Sequence, residues 1–316
     1  MASQSAAAVL MVRPTSFGFD EQTARTNTFQ HDIEYEAVSA IQKRAEAEFE
    51  AFVGKLRGKS VDVVVFDDSP LPPKPGGVFP NNWLTTWPDG RVYLYPMSTK
   101  SRRAERDPAV LDLLKLRFTV EAAQDISATE EDGGILEGTG AMVFDHLHKI
   151  AYASISPRCS EEVFKRHARD LGYRPITFHS YNENSVPIYH TNVMMGVQST
   201  TAVVCSESIT DELERKLVLD TLRRTSHEVV EISYAQMNQF CGNVLEVKNT
   251  RGERLLVLSG AAYDAFTDQQ RDTLSQDKTL LRADIPTIET VGGGSVRCMI
   301  AEVFLPLKSR SPVYVQ

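Results

Sequence analysis

The feature that most limits what this chain can fold into is a pattern that occurs five times along its 316 residues. Each repeat has a short apolar run, a second apolar run, an amphipathic helix and a closing strand. The predicted strands of the two clearest repeats are residues 135–144, 149–156 and 176–179, then 188–197, 201–206 and 229–233. Ser160 and Thr210 are predicted to cap the two helices, because two acidic residues follow each of them.

The other three repeats follow the same order with less regular spacing. Their predicted strands are residues 8–13 and 61–66, then 78–85 and 91–96, then 243–248, 255–259 and 279–283. Their predicted helices are residues 33–56, a helix that begins near Asp107, and residues 267–275. Five units of about 63 residues indicate an α/β ring of ββαβ-type units around a central site. A doubly wound sheet is the alternative, although no GxGxxG motif follows a strand.

Net charge and cysteine spacing exclude several classes of protein. The chain has 34 basic and 42 acidic side chains, and its net charge of −8 disfavours binding to a phosphate backbone. Cys159, Cys205, Cys241 and Cys298 are too far apart for a zinc motif and do not suggest a disulfide framework. The N-terminus lacks a basic signal region, and no apolar run is long enough to cross a membrane. We therefore expect a cytoplasmic protein that binds neither nucleic acid nor a membrane.

The strongest local motif is the glycine-rich segment 292–299, GGGSVRCM. Three glycines let a ligand approach the backbone closely, and Arg297 beside Cys298 would favour the reactive thiolate. The alternative is a glycine loop that leads into a core strand with an inert, buried cysteine. The motif therefore needs partners before it indicates a nucleophile.

Candidate partners stand near the start of other repeats. His190 lies in an apolar segment, where a buried polar side chain needs a partner, and Glu137 lies among apolar residues and glycines. Asn82 belongs to the segment FPNNW, for which simple turn formation is the alternative. Three other histidines compete with His190 from sequence alone, namely His146, His148 and His179. In a ring, the starts of successive units converge on the axis, so Asn82, Glu137, His190 and Cys298 are predicted to meet.

Taken together, the motifs resemble those of the guanidino-modifying, or pentein, superfamily. That group includes arginine deiminase, dimethylarginine dimethylaminohydrolase, agmatine deiminase, succinylarginine dihydrolase and glycine amidinotransferase. The matching segments are MVRPTSFGF at 11–19, TARTNTFQ at 23–30, VFPNNW at 78–83, YPMSTKSRRAER at 95–106, LEGTGAMVFDH at 136–146, AYASISPR at 151–158, YHTNVMMGV at 189–197 and GGGSVRCM at 292–299. The combination is most similar to the arginine-deiminase-related citrulline-utilization hydrolases, or CtlX. The resemblance implies a five-bladed pseudo-symmetric α/β propeller, the pentein fold, with a central site and no metal or other cofactor.

The resemblance also implies roles for individual residues. Cys298 would be the nucleophile. His190 would be the general acid and base that protonates the leaving amine and then activates water. Glu137 would hold the substrate nitrogens, and Arg297 would contact the substrate or stabilise the thiolate.

Two positions depart from the arginine deiminases. Where those enzymes place an Asp that pairs with the guanidinium this chain has Asn82, and where they have His-x-Asp it has Asn192. A guanidinium is a permanent cation that carboxylates match best, whereas a neutral ureido group offers a carbonyl and N–H groups that an amide can satisfy. We therefore predict a ureido substrate such as citrulline, whose carboxylate Arg103 and Arg106 would help to bind.

The predicted reaction is hydrolysis of citrulline to ornithine, carbon dioxide and ammonia through a covalent intermediate on Cys298. Arginine deiminase or amidinotransferase activity is the alternative among enzymes. A catalytically silent binder of arginine-like amino acids is the alternative outside them. The expected partner is a small-molecule substrate, and a homodimer is left open. All of this is predicted for one catalytic domain over residues 1–316.

Overall fold

Five small sheets organise the molecule, of which the computed structural model describes residues 3–33 and 37–308. In chain order the strands are β1 (Ala8–Arg13), β2 (Asp62–Asp67), β3 (Leu84–Thr86), β4 (Arg91–Leu94), β5 (Ala122–Asp125), β6 (Val143–Asp145), β7 (Ile150–Ser154), β8 (Arg174–Phe178), β9 (Met195–Val197), β10 (Thr201–Val204), β11 (Glu228–Glu231), β12 (Leu245–Lys248), β13 (Arg254–Ser259), β14 (Thr279–Ala283) and β15 (Ala301–Val303). In every sheet the middle strand is antiparallel to one neighbour and parallel to the other.

Helices connect the strands within each sheet and lead from one sheet to the next. The α-helices are α1 (Glu21–Ala24), α2 (Val38–Gly58), α3 (Lys100–Arg103), α4 (Ala109–Lys115), α5 (Gly138–Ala141), α6 (Glu161–Asp170), α7 (Thr191–Met194), α8 (Glu212–Arg224), α9 (Tyr234–Met237), α10 (Gly260–Ala265), α11 (Asp268–Ser275) and α12 (Pro286–Gly292). Single 3₁₀ turns cover Pro80–Asn82, Ser127–Asp132 and Ser206–Ser208.

Each sheet, with the turn that leads into its first strand, is called a unit here. Unit I is β15-β1-β2, and units II to V are β3-β4-β5, β6-β7-β8, β9-β10-β11 and β12-β13-β14. Unit I takes its antiparallel strand from the far end of the sequence, since Val303 of β15 pairs with Ala8 of β1. The two ends of the described chain are therefore joined in one sheet.

Hydrogen bonds connect each unit to the next. They run from Thr86 Oγ1 to the Glu302 carbonyl (3.0 Å), Thr139 Oγ1 to the Asn81 carbonyl (3.3 Å), Asn192 Nδ2 to the Thr139 carbonyl (3.2 Å), Asn243 Nδ2 to the Asn192 carbonyl (3.0 Å) and the Arg297 amide to Asn243 Oδ1 (3.1 Å). Four of the five bonds involve the turn before a first strand. The units therefore contact one another through the same part of their structure.

The longest helix shows why the helices pack on the outside of the sheets. In α2 the buried side chains include Ile41, Ala45, Phe49, Phe52 and Leu56, which recur every three or four residues. This spacing places them on one face of the helix, and polar residues occupy the other. The buried face contributes hydrophobic stabilisation while the opposite face remains in water.

The α/β class predicted from the sequence is confirmed, and several boundaries are corrected. The helix predicted from residue 33 begins at Val38, and residues 34–36 lie outside the described part of the chain. Asp211 rather than Thr210 caps α8, because its carboxylate accepts the amides of the first turn, whereas Thr210 is exposed. Ser160 occupies the predicted cap position of α6 without a side-chain hydrogen bond.

A second correction concerns the first strand of units II to IV. The segments predicted as strands over residues 78–85, 135–144 and 188–197 begin with short helical turns, and only their last residues are extended. The polar motif residues lie in these turns. Their side chains therefore do not point to alternate faces of a sheet, as they would along a strand. None of the helices that the structure describes is long and apolar enough to cross a membrane.

Candidate active site

The turns that begin units II, III and IV and the turn before β15 meet at one cleft. Asn82, His190 and Cys298 line this cleft, and Glu137 is hydrogen-bonded to His190. The cleft has a volume of about 390 Å³, counted with its open mouth. The four residues that the sequence predicted to meet are therefore brought together, although 53 or more positions separate any two of them.

His190 and Glu137 form a buried pair. His190 Nε2 lies 2.8 Å from Glu137 Oε2, and the other carboxylate oxygen accepts the Ser98 amide at 2.9 Å. Burial by itself raises the pKa of Glu137, but Arg158, His190 and Arg102 outweigh it and lower that pKa to about 2. Since an ionised carboxylate only accepts hydrogen bonds, Nε2 carries the ring proton and the neutral ring has its lone pair on Nδ1.

The His190 ring is held in its neutral form. Burial lowers the pKa of His190 to about 4, and the Arg158 and Arg102 cations act in the same direction, while Glu137 opposes them. The ring therefore starts as a base that can accept one proton and gives it up readily. That is the behaviour needed to carry a proton between a thiol and a leaving group.

Two buried arginines line the same cleft. Arg158 Nη1 is 3.6 Å and Arg102 Nη1 is 3.8 Å from Glu137 Oε2. Arg158 also donates to the Thr23 carbonyl and lies 4.8 Å over the Tyr189 ring, whereas Arg102 forms a two-point ion pair with Glu105. Each cation is thus fixed by neighbours within the protein. A fixed cation at a cleft wall can bind a ligand carboxylate.

Asn82 faces one of these arginines. With its amide oxygen toward the guanidinium, that oxygen accepts Arg102 Nη1 at 3.0 Å and Nη2 at 3.1 Å, and its NH₂ donates to Asn81 Oδ1. Both ends of the amide are then satisfied, as a side chain this deeply buried requires. The neutral amide predicted at this position is therefore part of the cleft wall.

Cys298 is positioned by a turn and by two amides. Its backbone amide donates to the Ser295 carbonyl at 2.9 Å, which closes the turn between α12 and β15. Its sulfur lies 3.3 Å from Asn243 Nδ2 and 3.6 Å from Asn192 Nδ2. The side chain is only 3% exposed, and the part that is accessible lies in the cleft.

Two glycines are required for this packing. A Cβ atom on Gly140 would lie 2.7 Å from His190 Cε1 and Nδ1 and closer still to the side-chain amide of Asn82. Gly293 has a φ of +65°, and a Cβ atom there would lie 2.5 Å from Asn27 Nδ2. A larger residue at either place would push the walls of the cleft apart, because the contacting atoms are themselves held by hydrogen bonds.

The three arginines that the sequence predicts to bind substrate do not line this cleft. Arg297 donates to the Ile300 carbonyl and to Glu302, and it lines a separate cavity. Arg103 pairs with Glu130 and Glu131, and Arg106 makes a two-point ion pair with Glu130. None of the three lines the cleft around Cys298. Asn192 contacts the cysteine sulfur and does not line the cleft either.

The competing histidines have other surroundings. His146 bonds Tyr173, His148 bonds Asp145, and His179 bonds Glu214 near the surface. Within the described part of the chain, one cluster has side chains of the types that bind metal ions, namely Asp145, His148 and His227. It lies away from the cleft, and its atoms already bond one another or Thr225.

Sequence reasoning missed Arg102, Arg158, Asn243 and Tyr189. Both arginines stand in the motifs that carried the family resemblance, but a run such as Ser101-Arg102-Arg103 does not show which side chain turns inward. Asn243 carried a detectable signal, since it precedes the first strand of unit V as Asn192 does in unit IV. The repeat therefore predicts that Asn243 occupies a position in unit V similar to that of Asn192 in unit IV.

Comparison with known proteins gives a family and a fold. The sequence model of a family described as N,N dimethylarginine dimethylhydrolase, eukaryotic, matches residues 13–305. No curated protein matches the chain. The structure is similar to that of apo ArgZ, an arginine dihydrolase from the ornithine-ammonia cycle in cyanobacteria, with a TM-score of 0.73 and 14% identity over 95% of this chain and 41% of that one.

Two further structures are matched over almost their whole length by this chain. The N-terminal domain of ArgZ, in a variant bound to substrate, has a TM-score of 0.72 and 13% identity over 95% of this chain and 98% of that chain. DDAH from Pseudomonas aeruginosa, complexed with citrulline, has a TM-score of 0.65 and 11% identity over 94% and 99%. The chain thus spans about two fifths of full-length ArgZ, and at these identities the likeness establishes the fold.

Proposed function

Since the chain belongs to the N,N-dimethylarginine dimethylhydrolase family, within the guanidino-modifying superfamily, we propose that it is a cysteine-dependent hydrolase of a C–N bond in an arginine-like amino acid. One observation carries the proposal: Cys298 shares a cleft with His190, and a buried carboxylate fixes the tautomer of that ring. A nucleophile, a base and a group that orients the base are the parts of a covalent hydrolase.

The substrate we propose is citrulline. Its neutral ureido group suits a wall that carries the Asn82 amide, while Arg102 and Arg158 can bind the carboxylate of an amino acid. The two arginines take over the part that the sequence analysis gave to Arg103 and Arg106. Arginine is the second candidate, because Glu137 is ionised in the same site and the similar ArgZ is an arginine dihydrolase.

The reaction follows from these positions. His190 takes the thiol proton, and the Cys298 sulfur attacks the ureido carbon. The bond from that carbon to the ornithine nitrogen breaks, and His190 gives its proton to the departing amine, which leaves a carbamoyl group on the sulfur. A water molecule, deprotonated by His190, then attacks this group and releases carbamate, which decomposes to ammonia and carbon dioxide.

We further propose that the five units form a closed, five-bladed propeller with the cleft on its axis. The support is that each unit bonds the next through the turn before its first strand or, between units I and II, through Thr86 and Glu302. On this view residues 1–316 act as one catalytic domain, located in the cytoplasm. A homodimer would leave the chemistry unchanged.

Product analysis with citrulline, arginine and agmatine supplied separately tests the substrate. Ornithine and ammonia from citrulline are expected, and Cys298→Ala should abolish them while retaining citrulline binding. Citrulline accumulation from arginine would instead identify a deiminase. Ligand binding by the parent protein without turnover of any of the three would identify a silent binder.

A further inference from the structure

The back of Cys298, on the side away from the cleft, is closed by two asparagine amides. Asn243 Nδ2 lies 3.3 Å and Asn192 Nδ2 lies 3.6 Å from the sulfur, and both side chains are about 1% exposed. Neither residue lines the cleft, so neither is placed to bind substrate. Asn243 has had no part in the reaction described above.

The orientation of each amide is fixed by the backbone around it. Asn243 Oδ1 accepts the Arg297 amide at 3.1 Å, which identifies it as the oxygen, and it lies 3.7 Å from the sulfur. The NH₂ group is the nearer end, at 3.3 Å from the sulfur, and it also donates to the Asn192 carbonyl. Asn192 Nδ2 faces the Thr139 carbonyl at 3.2 Å, and that carbonyl can only accept. Each NH₂ has two hydrogens, one for a backbone carbonyl and one for the sulfur.

In the part of the chain that the structure describes, no Lys or Arg side chain is hydrogen-bonded to this sulfur. Arg297, its neighbour in sequence, directs its guanidinium to the Ile300 carbonyl and Glu302. Among the described residues, the side-chain donors within hydrogen-bonding distance of Cys298 Sγ are the two amides. N–H donors that are held in place stabilise a negative charge more than water does at a buried site, because they need no reorganisation.

We propose that Asn243, assisted by Asn192, stabilises the thiolate of Cys298 by hydrogen bonds from the side opposite the substrate. The inference rests on the proposed function, in which that thiolate is the nucleophile. It assigns Asn243 to the reacting sulfur, and it gives Asn192 the same task in place of substrate binding. The Arg297 backbone amide acts as the positioning group for Asn243.

The test is alkylation of Cys298 by iodoacetamide as a function of pH. Asn243→Asp keeps the size of the side chain but replaces its donor with an acceptor. The rate at pH 7 should fall about 10- to 100-fold, because one hydrogen bond to a charged group is lost and a like charge is gained. At high pH the rate should return to that of the parent protein, which loss of access to the sulfur would not allow. Asn192→Asp should show the same change.

Two control variants show whether the change in alkylation rate is specific to the contacts of Cys298. Asn249→Asp places the same change at another buried asparagine, which is 2% exposed. Asn249 bonds the Lys59 carbonyl and makes no hydrogen bond to Cys298. Alkylation of this variant should match that of the parent protein, and Cys298→Ala should remove the signal. If Asn243→Asp does not fold, Asn243→Ala removes the donor without adding charge and should again slow the reaction at pH 7.

Unchanged alkylation in the Asn243 and Asn192 variants would overturn the proposal, and so would an equal fall in Asn249→Asp. Alkylation requires no substrate. If the parent protein fails to turn over citrulline while the Asn243 variant still shifts the pH profile, the substrate assignment is wrong and this inference stands.

Discussion

At the scale of single residues, Glu137 has the most demanding position in the molecule. It is fully buried, accepts the Ser98 amide and the His190 ring, and lies within 4 Å of two guanidinium groups. One carboxylate thus offsets the charge of Arg102 and Arg158 and orients the His190 ring, the proposed base. Removing its charge should therefore affect stability and catalysis together.

Glu137→Gln is expected to lower the free energy of unfolding by about 3 kcal/mol or more, because buried cations lose their compensating charge. Turnover should fall at least about 100-fold, since the ring is no longer held in one tautomer. Urea denaturation and steady-state kinetics measure the two effects. Glu131→Gln is the control, since its exposed pair with Arg103 should contribute less than about 1 kcal/mol. Equal effects of the two changes would contradict the assignment.

Asn82 is the residue on which the proposed preference for citrulline over arginine rests most. Asn82→Asp adds an anion to the cleft wall at nearly constant volume, so a guanidinium substrate should gain and a ureido substrate should lose. We expect the ratio of kcat/KM for arginine to that for citrulline to rise at least about tenfold, which corresponds to roughly 1.4 kcal/mol. A ratio that stays the same would mean that Asn82 does not distinguish the two groups.

At the scale of elements, the helices pack on the sheets through polar as well as apolar contacts. His167 on α6 is buried, and its Nε2 lies 2.9 Å from the Tyr95 hydroxyl next to β4. The ring also packs edge-on against Tyr93, at 4.9 Å between centroids. Burial lowers the pKa of His167 to about 4, from an ordinary value near 6.5. The helix is therefore docked by a neutral histidine.

This docking should make stability depend on pH. Between about pH 6.5 and pH 4 the unfolded chain binds a proton at His167 that the folded protein excludes, so the contribution of this residue falls as the pH is lowered. The stability advantage of the parent protein over His167→Gln should shrink by about 2 kcal/mol from pH 7 to pH 5. Urea denaturation at both pH values measures it, and a constant difference would contradict the neutral state.

At the scale of the whole molecule, the junction of units I and II decides whether the repeat closes on itself. Thr86 accepts the Phe304 amide at 2.8 Å and donates to the Glu302 carbonyl, and β15 pairs with β1 in the same region. The C-terminal strand thus holds together the first and second units. The turn that carries Cys298 precedes this strand directly, so the proposed closure and the proposed nucleophile depend on the same segment.

Thr86→Val keeps the shape of this side chain and removes both hydrogen bonds. The free energy of unfolding should fall by about 2 kcal/mol, because a partly buried carbonyl and a partly buried amide lose their partners. Denaturation followed by fluorescence and by activity should remain a single transition if the units form one cooperative domain. Thr200→Val, which loses two hydrogen bonds of an exposed threonine, one to Asp277 and one from Lys278, is the control. Two separate transitions in the parent protein would argue against a closed ring.

The sequence by itself determined the α/β class, the number of units, the three side chains Asn82, His190 and Cys298 that line the cleft, and Glu137, which bonds His190. It could do so because apolar spacing reports strands and helices, and because the repeat places equivalent turns at one centre. The tertiary structure alone decided which cations face that centre. Arg102, Arg103 and Arg106 stand in one short run, and only packing against Asn82 and Glu137 turns Arg102 inward while the other two pair with Glu130.

The side chains behind Cys298 also could not be oriented from the sequence alone. Asn192 and Asn243 are 51 positions apart, and each is oriented by a backbone group of a neighbouring unit. Local sequence fixes which side chains are present, but the direction in which an amide points depends on partners that folding brings from elsewhere in the chain. The motif could therefore indicate Cys298 as a candidate nucleophile, whereas the groups proposed to stabilise its charge became visible only once the units had packed together.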